Sequence, residues 1–140
     1  MQILIINGPN LNRLGTRKPE IYGSLSMAQI LLSIQQQWPD VHFVYRQSNH
    51  EGDLIDWLQE QQADGVVLNA GGYSHTSVAL RDAIEDCAMP VVEVHISDIR
   101  QRESFRRISL LTDVCAHSII GHGTDGYAEA VQWIIHEKNR

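Results

Sequence analysis

The sequence has only two cysteines, Cys87 and Cys115, and they are not in a C-x-x-C arrangement. Both lie in apolar surroundings, which favours buried free thiols in a reducing compartment over a disulfide. No apolar run approaches the length of a membrane span, and no signal-peptide pattern precedes the first predicted strand. These absences predict a cytoplasmic protein that has no membrane partner.

The sequence also lacks an excess of positive charge. Lysine and arginine number 11 against 17 aspartates and glutamates, and the resulting net charge of −6 argues against general affinity for nucleic acid. The Gly71-Gly72 pair is not part of a G-x-G-x-x-G or P-loop pattern, so dinucleotide or ATP binding is not expected. His117 and His122 have no third ligand at a useful spacing, which leaves a metal site weakly supported. We therefore expect a small-molecule partner.

What the sequence does contain is a regular alternation of apolar strands and amphipathic helices. The chain of 140 residues suits one domain, which we predict to span residues 1–140. Strand patterns fall at residues 2–7, 42–48, 66–69, 91–95 and 116–121. We predict an α/β fold, a flavodoxin-like three-layer sandwich with a five-stranded parallel sheet in the order 2-1-3-4-5.

Two helix starts are predicted from capping-box patterns, Ser26 with Gln29 and Ser48 with Glu51. Further helices are predicted at residues 78–86 and near the carboxyl end of the chain, and the charged segment 96–112 is expected to hold a short helix. In a parallel sheet of this kind, the binding site lies at the carboxyl ends of the strands near the point where the strand order reverses.

Residues 7–23, which we call the lid, connect the first strand to the helix that follows. Connections of this length in a compact protein are usually functional or disordered. The lid carries Asn10, Arg17 and Tyr22, which supply an amide, a cation and a phenol. It could close over a small anion, although a solvated loop with an incidental tyrosine would have the same pattern.

Polar side chains also follow the other central strands. Asn69 and His75 flank the Gly71-Gly72 pair after the third strand and suit hydrogen bonding to ligand hydroxyls. Glu93 and His95 end the fourth strand on one face, so the carboxylate can fix the imidazole tautomer and make the histidine a proton donor. A structural role for a lone histidine is the alternative reading. These stretches are expected to meet in one crevice.

Tyr22 could act as the base opposite that acid. A phenol with an ordinary pKa of about 10 is a poor base at neutral pH, but the nearby Arg17 guanidinium favours the phenolate. A base and an acid on opposite walls would support an elimination. The alternative is that Tyr22 is a hydrophobic clamp. The arginines of the charged segment form either a solvated face or a contact to the substrate; they are Arg102, Arg106 and Arg107.

The sequence resembles the type II 3-dehydroquinate dehydratases from end to end. Five motifs carry the resemblance, in the order NGPNLN at residues 7–12, GTRKPEIYG at 15–23, QSNHEG at 47–52, HTSVALRD at 75–82 and EVHIS at 93–97. The resemblance implies a flavodoxin-like fold and the reversible dehydration of 3-dehydroquinate, a small anionic substrate, through an enolate. It also implies that no cofactor or metal is used, and that the protein is a homo-oligomer, a dodecamer built from trimers.

The resemblance further implies a role for each matched residue. Tyr22 would take the proton next to the ketone with the help of Arg17, and His95 would protonate the departing hydroxyl. Glu93 would orient His95, and Asn10 would hold a water molecule against the enolate oxygen. The implied substrate-binding residues are Asn69, His75, Ile96, Ser97 and Arg106, together with Asp82, which would reach the site of a neighbouring subunit.

The sequence departs from the family pattern at four positions. Asp98 stands where asparagine is usual, Arg100 where histidine is usual, Ser104 where proline or an acidic residue is common, and Lys18 where glutamate is common. None is an implied catalytic position, but Lys18 adds a cation beside Arg17 and Asp98 adds an anion beside Ser97, which changes the charge expected around the lid and the substrate. A ligand-binding module or a purely structural oligomer on the same fold remains the alternative function class.

Overall fold

The computed structural model describes residues 1–140 and contains one five-stranded sheet whose strands are all parallel. The strand order is β2-β1-β3-β4-β5, as predicted. The strand boundaries differ from the predicted ones by no more than one residue, because apolar runs and turn residues mark them clearly. The strands are β1 (Gln2–Asn7), β2 (His42–Gln47), β3 (Gly65–Asn69), β4 (Val91–His95) and β5 (His117–Ile120).

Helices cover both faces of the sheet, which confirms the three-layer prediction. They are α1 (Pro19–Tyr22), α2 (Met27–Gln37), α3 (Glu51–Glu60), α4 (Val78–Glu85) and α5 (Asp125–Lys138). Successive strand residues point to opposite faces. Accordingly Ile3 and Ile5 pack with α2 and α5 in one apolar cluster, while Leu4 and Ile6 pack with α3 and α4 in another. None of the helices has the length and hydropathy that a membrane-crossing segment requires.

The first predicted capping box is confirmed. The Ser26 hydroxyl accepts a hydrogen bond from the backbone N–H of Gln29 at 3.2 Å, and the Gln29 side chain accepts one from the Ser26 N–H at 2.8 Å. Two of the unpaired N–H groups at the start of α2 are thereby satisfied, which fixes where the lid ends and the helix begins.

The second predicted capping box is wrong. Helix α3 begins at Glu51 with His50 as its N-cap, and the His50 side chain makes no capping hydrogen bond. The Ser48 hydroxyl instead accepts from the His50 N–H at 2.9 Å and donates to the Asp53 carboxylate. A local turn made by the serine side chain therefore competes with the helix start and displaces it by two residues.

Two segments predicted to be largely irregular contain single helical turns. The lid holds a 3₁₀ turn at Leu11–Arg13 as well as the one-turn helix α1. The segment 96–112 contains two 3₁₀ turns, Ile99–Gln101 and Ser104–Arg106, where one short helix was expected. Asp98 starts the first of these turns, because its side chain accepts a hydrogen bond from the Arg100 N–H.

The strand order reverses between β1 and β3, and their carboxyl ends lie level because Asn7 pairs with Asn69. Beyond this pair the Gly8 N–H donates to the Asn69 carbonyl at 2.8 Å. A Cβ atom on Gly8 would lie 2.4 Å from the Ala70 carbonyl oxygen, so only glycine allows this approach. The start of the lid is thus held against the segment that follows β3, at the edge where a site is expected.

Candidate active site

A cleft of about 200 Å³ opens at the carboxyl ends of β1, β3 and β4, where a ligand site is expected in such a sheet. Every predicted site residue except Glu93 and Asp82 lines it. The cleft is lined by Pro9, Asn10, Leu11, Arg17, Tyr22, Asn69, Gly71, Gly72, His75, His95, Ile96, Ser97, Ile99, Arg102 and Arg106. The sequence therefore predicted most of the residues that the fold brings together.

The cleft is positively charged although the whole chain is acidic. Three guanidinium groups line it, those of Arg17, Arg102 and Arg106, and no aspartate or glutamate is among the lining residues. The chain as a whole carries a net charge of −6. A concave site with one sign of charge concentrates ligands of the opposite sign, so this cleft favours a small anion.

The lid supplies the wall that carries Tyr22. Lys18 has a left-handed backbone with φ 39°, and Pro19 then starts α1, which ends at Tyr22. The guanidinium carbon of Arg17 lies 4.5 Å from the centre of the Tyr22 ring, a cation–π distance. The pairing of Arg17 with Tyr22 that the sequence predicted is thus present, with the cation over the ring face.

Arg102 contacts the Tyr22 hydroxyl directly, a contact that the sequence does not predict. Its Nη1 atom donates to the Tyr22 oxygen at 3.1 Å and to the Ser97 hydroxyl at 3.3 Å. In the sequence, nothing distinguishes Arg102 from the other arginines of the charged segment. In the fold, Arg102 directly follows the 3₁₀ turn Ile99–Gln101, and its side chain lines the cleft. Arg102 therefore links the lid to the segment after β4.

The opposite wall is the end of β4. Glu93 and His95 point to the same face of the strand, and the Nε2 atom of His95 lies 2.6 Å from the Glu93 carboxylate. Both side chains are buried, with exposures of 1% and 6%. The other ring nitrogen of His95, Nδ1, has no hydrogen-bond partner within the chain, and it is accessible to solvent. It is therefore the ring nitrogen that is available to a ligand in the cleft. The predicted carboxylate–imidazole pair is present.

Three hydroxyl groups also converge on the Glu93 carboxylate. Thr112 donates at 2.7 Å, Ser118 donates at 2.8 Å, and Ser109 donates through a short hydrogen bond. Burial by itself raises the pKa of Glu93. The hydrogen bond and positive charge of His95, with the hydroxyl donors, outweigh burial and lower the pKa to about 2. Glu93 is therefore a fixed anion behind His95 at every pH near neutrality.

The anionic state of Glu93 makes stability depend on pH in the acid range. Its folded pKa of about 2 lies below the ordinary value of 4.5, so the stabilisation is complete above pH 4.5 and is lost as the pH falls towards 2. The full loss amounts to about 3 kcal/mol. We expect urea unfolding of the wild type to show this decline.

The matched comparison uses two glutamine variants measured by urea unfolding between pH 7 and 2.5. Glu93→Gln is expected to be less stable than the wild type at neutral pH. Its free energy of unfolding should also fall less steeply as the pH is lowered, since the glutamine amide does not take up a proton in this range. Glu103→Gln changes an exposed carboxylate, so its free energy of unfolding should depend on pH nearly as steeply as that of the wild type. Equal slopes in wild type and Glu93→Gln would contradict the assignment.

The turn after β3 forms the third side of the cleft. Gly71 has φ 60°, and the 3₁₀ turn Gly71–His75 ends at His75. The Nδ1 atom of His75 lies 2.8 Å from the Ile108 carbonyl, and the ring centres of His75 and His95 are 6.2 Å apart. The two histidines therefore face the same cleft, as the sequence predicted, but they hydrogen-bond to different parts of the chain.

Asn10 and Arg106 also line the cleft, whereas Asp82 does not. Asn10 has a left-handed backbone with φ 69°, and its N–H donates to the Asn49 side chain at 3.0 Å. Arg106 forms an ion pair with Glu103 at 2.8 Å. Asp82 lies on an exposed part of α4 and does not line the cleft of its own chain. Its predicted role in a neighbouring subunit stays a prediction.

Two departures from the family pattern compensate each other. Arg100 donates to the Asp98 carboxylate through Nε at 2.9 Å and Nη2 at 3.0 Å. Because this fork-shaped pair satisfies both charges, Asp98 adds little negative charge beside the cleft. Lys18 is exposed, and none of these three side chains lines the cleft.

The two histidines considered for a metal make separate contacts. His117 stacks on Trp133, with ring centres 5.2 Å apart, and His122 lies 2.8 Å from the Glu129 carboxylate. No group of three or more histidine, cysteine, aspartate or glutamate side chains has a geometry that could hold a metal ion.

The geometry agrees with what similarity to known proteins shows. The family model for dehydroquinase class II matches residues 1–135. The chain belongs to the class II dehydroquinase family. Both the predicted family and the predicted fold are thereby confirmed.

Individual members of the family are similar over nearly the whole chain. A 3-dehydroquinate dehydratase from an Exiguobacterium species is 50% identical over 143 residues, covering 100% of this chain and 99% of that protein. The Bacillus pumilus enzyme of the same name is 47% identical and covers 96% and 94%. The crystal structure of a type II dehydroquinase from Butyrivibrio crossotus, 41% identical, superposes with a TM-score of 0.92 over 96% of this chain and 97% of that one.

Proposed function

We propose that this class II dehydroquinase catalyses the reversible dehydration of 3-dehydroquinate to 3-dehydroshikimate, by anti elimination of water through an enolate, in the shikimate or quinate pathway. The single observation that carries the proposal is the presence of a phenol and an imidazole, Tyr22 and His95, in one arginine-lined cleft. The names of the similar proteins support the choice of substrate. The substrate carboxylate suits the positive cleft, and no cofactor takes part in the proposed steps.

Tyr22 is the proposed base. Its phenolate removes the proton from the carbon next to the ketone, and the electron pair moves to the ketone oxygen to form the enolate. Arg102 donates to the Tyr22 oxygen and the Arg17 guanidinium lies over its ring, so both contacts position the phenol in the cleft. Asn10, which also lines the cleft, is proposed to hold a water molecule against the enolate oxygen.

His95 is the proposed acid. As the enolate collapses, the carbon–oxygen bond to the hydroxyl breaks, and His95 gives its Nδ1 proton to that oxygen, which leaves as water. Glu93 accepts a hydrogen bond from Nε2–H and so holds the ring in place with Nδ1 free for the transfer. A later proton transfer from Tyr22 to His95 through solvent restores both groups.

The proposed substrate contacts surround these two groups. Arg106 and Ser97 are suited to the carboxylate because they present a guanidinium and a hydroxyl beside the end of β4. Asn69 and His75 are suited to the ring hydroxyls from the opposite side. Backbone groups of Ile96 complete the proposed set.

The proposal includes a cytoplasmic homo-oligomer, a dodecamer of trimers in which Asp82 acts in a neighbouring site. Val78 lies one turn before Asp82 on α4 and is 59% exposed, and Phe105 and Ile108 in the segment 96–112 are 68% and 73% exposed. Exposed apolar residues of this size suit a subunit contact. Sedimentation velocity tests this part, and a fully active monomer would contradict it.

The direct test adds 3-dehydroquinate to the purified protein and follows absorbance in the near ultraviolet. The product is a conjugated enone, so a rise in absorbance proportional to enzyme concentration is expected. A folded sample that produces no rise would overturn the proposed function.

The two arginines beside Tyr22 are expected to act on kcat. Arg102→Met removes the donor to the phenol oxygen, and Arg17→Met removes the cation over the ring. Both should lower kcat, by about tenfold or more for Arg102→Met, because the proposed base loses a contact that positions it. Arg46→Met, which breaks an ion pair with Glu60 outside the cleft, is the control. A kcat equal to that of the control in both variants would remove both arginines from this role.

A further inference from the structure

A buried hydrogen-bond network lies directly behind the cleft and takes no part in the proposed chemistry. Its centre is Tyr127 on α5, which is fully buried. The Tyr127 hydroxyl donates to Asn7 Oδ1 at 2.7 Å and accepts from Asn69 Nδ2 at 3.0 Å. One hydroxyl from the helix layer therefore joins the carboxyl ends of β1 and β3.

The network continues on both sides of Tyr127. Asn69 Oδ1 accepts from the Gly71 N–H at 3.2 Å, at the start of the 3₁₀ turn that carries His75. On the other side, Asn7 Nδ2 donates to the Tyr45 hydroxyl at 3.2 Å. Only the Asn69 end of this network reaches the cleft, because Asn69 lines it and Tyr45 does not.

The pattern of donors and acceptors fixes the orientation of the Asn69 amide. Reversing the amide would place its NH₂ against the Gly71 N–H, and its oxygen would face a hydroxyl whose only proton already bonds to Asn7. Burial raises the pKa of Tyr127, so this hydroxyl remains protonated and keeps its direction. One of the two Nδ2 protons of Asn69 is used by Tyr127, which leaves the other for a ligand.

We propose that Tyr127 is a positioning residue for substrate binding, which acts by holding the Asn69 amide and, through the Gly71 N–H, the turn that carries His75. The inference rests on the proposed function and extends it from the cleft to the helix layer behind it. It assigns Tyr127 no contact with substrate. Tyr22 and His95, the proposed base and acid, are held by other contacts and should be unaffected.

Kinetic constants for two matched tyrosine variants test the inference. Tyr127→Phe keeps the ring and removes the hydroxyl that holds Asn69, so KM is expected to rise about tenfold while kcat changes less than about threefold. Tyr45→Phe removes the hydroxyl at the far end of the same network, and its KM should stay within about twofold of wild type. Both variants are expected to lower the melting temperature, so stability alone does not separate them.

An unchanged KM in Tyr127→Phe would overturn the inference, as would an equal rise in Tyr45→Phe, because either result leaves only a structural role. If Tyr127→Phe does not fold, Asn7→Ser provides the second test. It withdraws the acceptor that directs the Tyr127 proton, so KM should rise by a smaller factor, and an unchanged KM would overturn the inference. Failure of the proposed function is distinguishable, since the wild type would then not convert 3-dehydroquinate.

Discussion

Tyr22→Phe is expected to lower kcat by about 10²- to 10⁴-fold, the contribution usual for a general base. Phenylalanine retains the ring that packs under the Arg17 guanidinium, so lid packing and substrate affinity should be kept. The loss in kcat therefore measures the contribution of the phenol oxygen alone. Steady-state kinetics give kcat, and calorimetric titration with 3-dehydroquinate gives the dissociation constant, which we expect within about threefold of wild type.

Tyr45→Phe is the matched control, because it removes a phenol oxygen that does not reach the cleft. Its kcat should stay close to that of the wild type. A Tyr22→Phe protein that keeps more than about a tenth of the wild-type kcat would contradict Tyr22 as the base, since a missing base costs at least about 10²-fold.

His95→Gln is expected to have the second largest effect, a loss in kcat of about 10²- to 10⁴-fold. A glutamine amide can still hydrogen-bond to Glu93, but it cannot give a proton to the leaving hydroxyl. His75→Gln is the matched control from the same cleft, since its ring centre lies 6.2 Å from that of His95. There we expect a rise in KM with a smaller change in kcat, because His75 is proposed to bind and not to transfer protons.

The opposite pattern would reverse the two assignments. If His75→Gln lost most of kcat while His95→Gln mainly raised KM, the acid would be the histidine beside the Ile108 carbonyl. The Glu93 carboxylate would then have only a structural role. Measuring both variants at one pH and with one substrate preparation makes this distinction direct.

Local rules predicted the framework of the fold correctly. Apolar runs such as Ile3 to Ile6 are long enough for buried strands, and parallel connections fix where the strand ends meet. The same rules predicted that Asn69, His75 and His95 lie in one cleft, and all three line it. It failed at Ser48, because the Ser48 hydroxyl donates to Asp53 and accepts from the His50 N–H. Helix α3 therefore begins two residues later than predicted.

Contacts between distant segments were not predictable from the sequence. The three hydroxyls on Glu93 come from residues 109, 112 and 118, and no spacing rule relates them to a carboxylate on β4. Arg102 reaches Tyr22 across 80 positions of sequence. Such contacts depend on how 3₁₀ turns and loops aim their side chains, which composition and periodicity do not determine.

These contacts give the proposed base and acid different supports. Tyr22 lies on the lid and is held by Arg17 and Arg102, whereas His95 lies on the sheet and is held by a buried anion. The proposed base and the proposed acid are therefore held by separate parts of the chain.

Proton exchange in D₂O tests this division of roles most directly. Each variant is incubated with 3-dehydroquinate, and proton NMR follows the signal at the carbon next to the ketone. His95→Gln should incorporate deuterium there without forming the enone, because Tyr22 still forms the enolate and returns a solvent deuteron. Tyr22→Phe should show neither exchange nor enone. Exchange by Tyr22→Phe, with none by His95→Gln, would contradict the assignment of Tyr22 as the base and His95 as the acid.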